Sequence, residues 1–150
     1  MSRALPPGLF GANALTAGDC VVCGALTVTG DMIDTFADLT GDRFEIHMST
    51  SAAQAHGFAA RVAHGLLILS LIDGLKNQAA AQIKARASMG WDWTFRAPVF
   101  LGDAISARYQ IANVAPAKAE DQAILTLDFM VTNQRDQIVQ RGTNRLLAYR

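Results

Sequence analysis

The stretch FADLTGDRFEIHMST, residues 36–50, holds a carboxylate, Asp42, and an imidazole, His47, five positions apart behind a glycine. Such a pair works as general base and general acid when both side chains reach one water molecule. Regular structure keeps them apart: five positions turn through about 140° on an α-helix, and on a strand they fall on opposite faces. A loop at a helix end brings them together, and Gly41 has the backbone freedom for that turn. Asp after Gly is also ordinary turn chemistry, and a histidine can simply plug such a loop. The spacing alone leaves both readings standing.

The elements around this stretch must do the positioning. Asp31 is the expected cap of a helix over MIDTFADLT, with Met32, Ile33, Phe36 and Ala37 on one face and Gly41 at its end. Residues 49–62 are rich in Ser, Thr, Ala and Gly and read as short helical turns and loop. A longer helix is predicted from Gly65 to about Ala81; its first three turns are apolar around most of the circumference and must be covered on nearly all sides. The period then changes to that of strands, at about 87–96, 103–114, 122–133 and 137–148, joined by turn-like segments. An early strand near 20–29 completes the set, and residues 1–19, with Pro6, Pro7, Gly8, Gly11 and Gly18, read as an irregular arm. A buried helix followed by an antiparallel meander describes an α+β fold in which a curled antiparallel sheet wraps a central buried helix, the hotdog arrangement.

At 150 residues the chain is expected to form one domain. Its 51% hydrophobic and 17% charged composition implies a large core or a surface reserved for another subunit. Thirteen basic and thirteen acidic side chains cancel, which gives no reason to expect nucleic acid or an anionic membrane as a partner. GLLILSLIDGL, residues 65–75, is too short to cross a bilayer, and the amino end lacks the pattern of a secretory signal, so a cytoplasmic protein is expected. Cys20 and Cys23 have no second Cys pair or nearby His to complete a zinc set, and they read as two reduced structural thiols on a strand.

Three blocks now combine. FADLTGDRFEIH, then HGLLILSLIDGL after sixteen residues, then FRAPVFLGDAISARYQI, resemble the MaoC-like dehydratases, the family of R-specific enoyl-CoA hydratases, in order and spacing over roughly residues 31–113. The resemblance implies that Asp42 and His47 are the catalytic pair, and that Gly65 supplies an oxyanion-hole N–H from the amino end of the buried helix, where backbone donors lack internal partners. It implies interconversion of trans-2-enoyl-CoA and (R)-3-hydroxyacyl-CoA, with no metal and no cofactor beyond the CoA carried by the acyl-CoA substrate. It also implies a homodimer, or a higher homo-oligomer built from dimers, with the substrate tunnel near the subunit boundary.

Two positions depart from the family pattern. Phe44-Glu45 stands where many members have Asn-Pro, which leaves the loop less constrained. Asp73 stands where R-hydratases often have serine near the active site; in so apolar a helix it must find partners, tuning the site or joining a structural network. His64 reads as a buried, hydrogen-bonded histidine that shapes the loop, so that Phe44, His64 and Asp73 are expected to line or support the site rather than react. Arg61, Arg86, Arg96, Arg141 and Arg145 are available for the CoA phosphates, and nothing in the sequence selects among them. Acyl-CoA thioesterase activity on the same fold and a non-catalytic acyl-thioester-binding module are the alternatives.

Overall fold

Between residues 122 and 132 the side chains alternate without a break: Ala123, Leu125, Leu127, Phe129 and Val131 are fully buried, and their neighbours are not. That period of two marks the inner face of a sheet with its other face toward solvent. The computed structural model describes residues 2–150. In chain order the elements are β1 (Arg3–Ala4), β2 (Gly8–Phe10), β3 (Asp19–Thr27), α1 (Gly30–Thr40), α2 (Glu45–Met48), α3 (Thr50–Ala55), α4 (Gly65–Gln78), β4 (Ala81–Ile83), β5 (Ala85–Phe95), β6 (Ala104–Pro116), β7 (Gln122–Thr132) and β8 (Ile138–Tyr149).

Six strands form one sheet in the order β1-β3-β6-β7-β8-β5, antiparallel throughout except for β1 beside β3. Helix α4 lies on its inner face, where Leu67, Ile68, Ile72 and Leu75 share one core with Ile105, Ile111, Leu127 and Phe129. This is the hotdog arrangement the sequence pattern implies. Register shifts in β3 after Val22, in β6 after Ile111 and twice in β5 bend the long strands, as bulges do, and help the sheet curl.

Several local expectations are corrected. The cap of α1 is Thr29, whose Oγ1 accepts from the Met32 N–H at 3.2 Å; Asp31 sits instead in the first turn, where its charge suits the helix dipole. Helix α4 stops at Gln78 because Ala79 turns extended, and the chain then enters β4. The amino-terminal arm is more ordered than its Pro and Gly content implies. Arg3 holds the buried Asp19 through Nε and Nη2, both at 2.8 Å, and β2 pairs in parallel with β4. Pairing with residues far along the chain, which a local pattern does not encode, fixes these short strands.

The cover over α4 is also incomplete within one chain: Leu66 is 60% exposed, and Leu69 and Leu71 are only half-buried. Strand β5 forms one edge of the sheet, paired among the described residues with β8 alone, and it leaves Met89 and Phe95 exposed. Cys20 and Cys23 are both free and fall on opposite sides of β3. Burial pushes the Cys23 thiol up to about 12, far from the range of a reactive thiolate. No helix among the described residues is long and apolar enough to cross a membrane.

Candidate active site

Gly41 ends α1 in the left-handed region, φ 80°, with its N–H donating to the Ala37 carbonyl at 2.8 Å. A Cβ is disfavoured in that conformation, which is why glycine stands there. The chain then folds back through hydrogen-bonded turns. Asp42 N–H donates to Thr40 Oγ1 and Asp42 Oδ1 accepts from the Phe44 N–H, each at 3.2 Å. The short α2 follows at once and carries His47.

The segment 61–64 holds this bend from behind. His47 Nδ1 lies 2.7 Å from the Val62 carbonyl oxygen, which only accepts, so the proton sits on Nδ1 and the Nε2 lone pair is left for other work. Val62 N–H in turn donates to the Ile46 carbonyl at 3.0 Å, and Arg61 Nε donates to the His47 carbonyl at 2.7 Å. The loop before β6 braces the same segment: Ala63 N–H donates to the Val99 carbonyl at 2.7 Å and Leu101 N–H to the Arg61 carbonyl at 2.9 Å. The block APVFLGD is thus architectural, with Asp103 accepting from the Phe100 N–H to close its turn.

His64 caps this arrangement. Its Nε2–H donates to the main-chain carbonyl of Asp42 at 2.9 Å, and its ring stacks on His47 with centroids 3.9 Å apart. Phe36 packs against it at 4.9 Å. One donor atom from each of Asp42, His47 and His64 lies within 4.8 Å of the others. A carboxylate with two imidazoles is a donor set that transition metals use. Each ring donates one N–H to a carbonyl, which leaves His47 Nε2 and His64 Nδ1 as the nitrogens with a lone pair; Nδ1 is buried without a partner among the described residues. Asp42 is exposed, and His47 Nε2 makes no hydrogen bond among the described residues.

These residues line a cleft of about 520 Å³ together with Gly65, Phe58, Phe95 and Gln140. Gly65 opens α4, and its N–H meets no acceptor among the described residues. A Cβ at this position would strike the Phe95 ring, so the glycine also allows β5 to close on the helix. Phe44 does not line the cleft; its ring stands edge-on to His47 at 6.0 Å and is half exposed. Asp73 is also absent from the cleft and pairs instead with Lys76 at 2.7 Å; the Lys76 ammonium reaches Asn144 and the Trp91 face. Of the five arginines considered for phosphate, Arg96 alone lines the cleft.

Gln140 is the residue that sequence reasoning missed. It is 2% exposed and lies on the inner face of β8, where the alternation calls for an apolar side chain. A polar residue at such a position was the available signal.

The family model for the MaoC-like domain matches residues 18–131. The chain belongs to this family. Over 112 residues this MaoC-like chain is 30% identical to the (R)-specific enoyl-CoA hydratase of Aeromonas caviae, a match covering 73% of this chain and 78% of that protein. Among solved structures it is similar to one described as a monoamine oxidase regulatory protein from Archaeoglobus fulgius, with TM-score 0.87 and 28% identity, covering 100% of this chain and 98% of that one. A Mycobacterium tuberculosis protein described as having a double hotdog fold superimposes with TM-score 0.82 at 14% identity, over 97% of this chain and 46% of that one, a likeness of fold alone.

Burial holds the His47 imidazole below the ordinary histidine value of about 6.5; the Val62 carbonyl opposes this, His64 adds to it, and Asp42 opposes it least. The unfolded chain therefore binds this proton more readily than the folded one. The stability tied to neutral His47 is complete above about pH 6.5 and is lost as the pH falls from there through the folded-state value. Proton NMR of His47 should titrate below about 6.5, and the denaturant midpoint should fall between about pH 7 and 5, less so in His47→Gln. A midpoint for His47 at or above the free value would contradict the burial argument.

Proposed function

We propose that the chain is a hydratase/dehydratase that interconverts trans-2-enoyl-CoA and (R)-3-hydroxyacyl-CoA thioesters. The observation that carries this reading is that Asp42 and His47, with a carboxylate oxygen and a ring nitrogen within 4.8 Å of each other, line one cleft together with Gly65 at the start of α4. Family membership and the hydratase from Aeromonas caviae support the reaction class, and the R stereochemistry rests on that likeness. No metal or cofactor takes part in the proposed steps; CoA enters with the substrate.

In the hydration direction the Asp42 carboxylate orients a water and accepts one of its protons as the oxygen bonds to C3. The C2–C3 π electrons move toward the thioester, and negative charge gathers on its oxygen. The Gly65 N–H, unpaired and at the positive end of a 14-residue helix, is suited to receive that charge. The proton that Asp42 takes passes to the open Nε2 lone pair of His47 and from there to C2, which returns both side chains to their starting state. The sum is H and OH added across the double bond, with the thioester intact. Arg96, at the cleft and without an ion pair among the described residues, fits an anionic substrate.

Incubation with short-chain trans-2-enoyl-CoA should remove the enoyl absorbance without releasing thiol, whereas a thioesterase would release it. Asp42→Asn and His47→Ala should each lower kcat at least about a hundredfold. Full turnover by either variant would refute these roles, and binding without turnover, indifferent to both substitutions, would favour a regulatory module of the kind the Archaeoglobus description names.

The working unit in this reading is a homodimer. The open edge of β5, with its unpaired backbone polar groups, and the exposed apolar Leu66 and Phe95 beside the cleft are features that a second copy would cover. Sedimentation equilibrium should give twice the 16.1 kDa chain mass or a multiple of that dimer. A monomer at micromolar concentration would contradict it.

A further inference from the structure

Gly65 presents a difficulty: an oxyanion donor must be held to within a fraction of an ångström, yet a glycine has no side chain by which its neighbours can grip it. The structure supplies a grip from the other end of the chain. Gln140 Nε2 donates to the Gly65 carbonyl at 3.1 Å, and Gln140 Oε1 accepts from Trp93 Nε1–H at 2.7 Å. The indole nitrogen only donates, so it fixes which end of the amide faces it and leaves the NH2 group toward Gly65. Trp93 has its place because Gly142, opposite it in the β5–β8 register, is bare; a Cβ there would strike the Asp92 carbonyl and the Trp93 ring. Phe95, directly opposite Gln140, closes over Gly65 from the same strand.

We propose that Gln140 is a positioning residue for the Gly65 amide, holding the first turn of α4 against β8 so that the Gly65 N–H stays aimed into the cleft. The inference rests on the hydratase reading for its kinetic consequence, although the structural consequence is independent of it. The side-chain amide of Gln140 hydrogen-bonds to Trp93 and Gly65 and not to Asp42 or His47, so its role is separable from acid–base chemistry.

Gln140→Met keeps length and removes the donor. It should lower kcat on the order of tenfold to a hundredfold, the scale of a small misplacement of a catalytic group, with KM changed little. Both limbs of the pH–rate profile should stay where they are in the parent protein, because the acid–base pair is untouched. Hydrogen exchange of the amides of Ile68 and Leu69, the first to bond back to the helix start, should accelerate. Gln140→Glu, which turns a carboxylate oxygen toward the Gly65 carbonyl and adds negative charge beside the developing oxyanion, should lose more.

Parental kcat with parental exchange in Gln140→Met would overturn the proposal, as would a rise in KM at constant kcat, which marks a substrate contact. Should Gln140→Met fail to fold, Trp93→Phe removes only the N–H that orients the amide. It should shift kcat and exchange in the same direction by less, and no change in either would overturn the proposal. A parent protein without hydratase activity would defeat the functional reading alone, because the exchange measurement still decides whether Gln140 holds the helix start.

Discussion

The Val62 carbonyl oxygen, 2.7 Å from His47 Nδ1, decides what His47 is able to do. A neutral imidazole has one donor and one acceptor nitrogen, and a carbonyl claims the donor. The acceptor that remains is Nε2, and burial favours that neutral form. The rest of the site follows from keeping this one bond in place. Residues 61–63 are stitched to Ile46 and His47 on one side and to Val99 and Leu101 on the other, so the carbonyl that selects the tautomer is itself anchored to the start of the meander.

The two histidines divide the labour by the carbonyls they meet. His47 spends Nδ1–H on Val62 and keeps a lone pair for the cleft; His64 spends Nε2–H on the Asp42 carbonyl and has its other nitrogen buried. His64 therefore ties the backbone of Asp42 to the start of α4. Gly65, the next residue, is tied by Gln140 to β8. The loop that carries Asp42 and the first amide of α4 are thus held through adjacent residues by separate bonds.

Much of this was legible in the chain itself. The five-residue spacing behind Gly41 required a loop, and the structure provides one, with that glycine left-handed. The apolar run after His64 and the period-two strands fixed the helix-in-sheet architecture, because burial on one face leaves a periodic trace. What escaped were choices between neighbouring side chains and interactions between distant residues. Thr29 rather than Asp31 caps α1 because the side chain that reaches the Met32 amide depends on where the preceding strand delivers the chain. The arm's strands form by pairing with residues 19–20 and 81–83, which no local pattern announces. Asp73 found its partner one helical turn away in Lys76, outside the cleft, and so joined a structural network. Gln140 lies 75 positions from the carbonyl it holds, and its polarity on an inward face was its only mark.

The central claim is that a backbone carbonyl locks His47 with its proton on Nδ1 and its lone pair on Nε2. Long-range proton–nitrogen correlation spectra of the protein at pH 8, with His47 assigned by its substitution, test this directly. The account requires a protonated-type Nδ1 and an unprotonated-type Nε2. The opposite tautomer, or rapid exchange between the two, would contradict it.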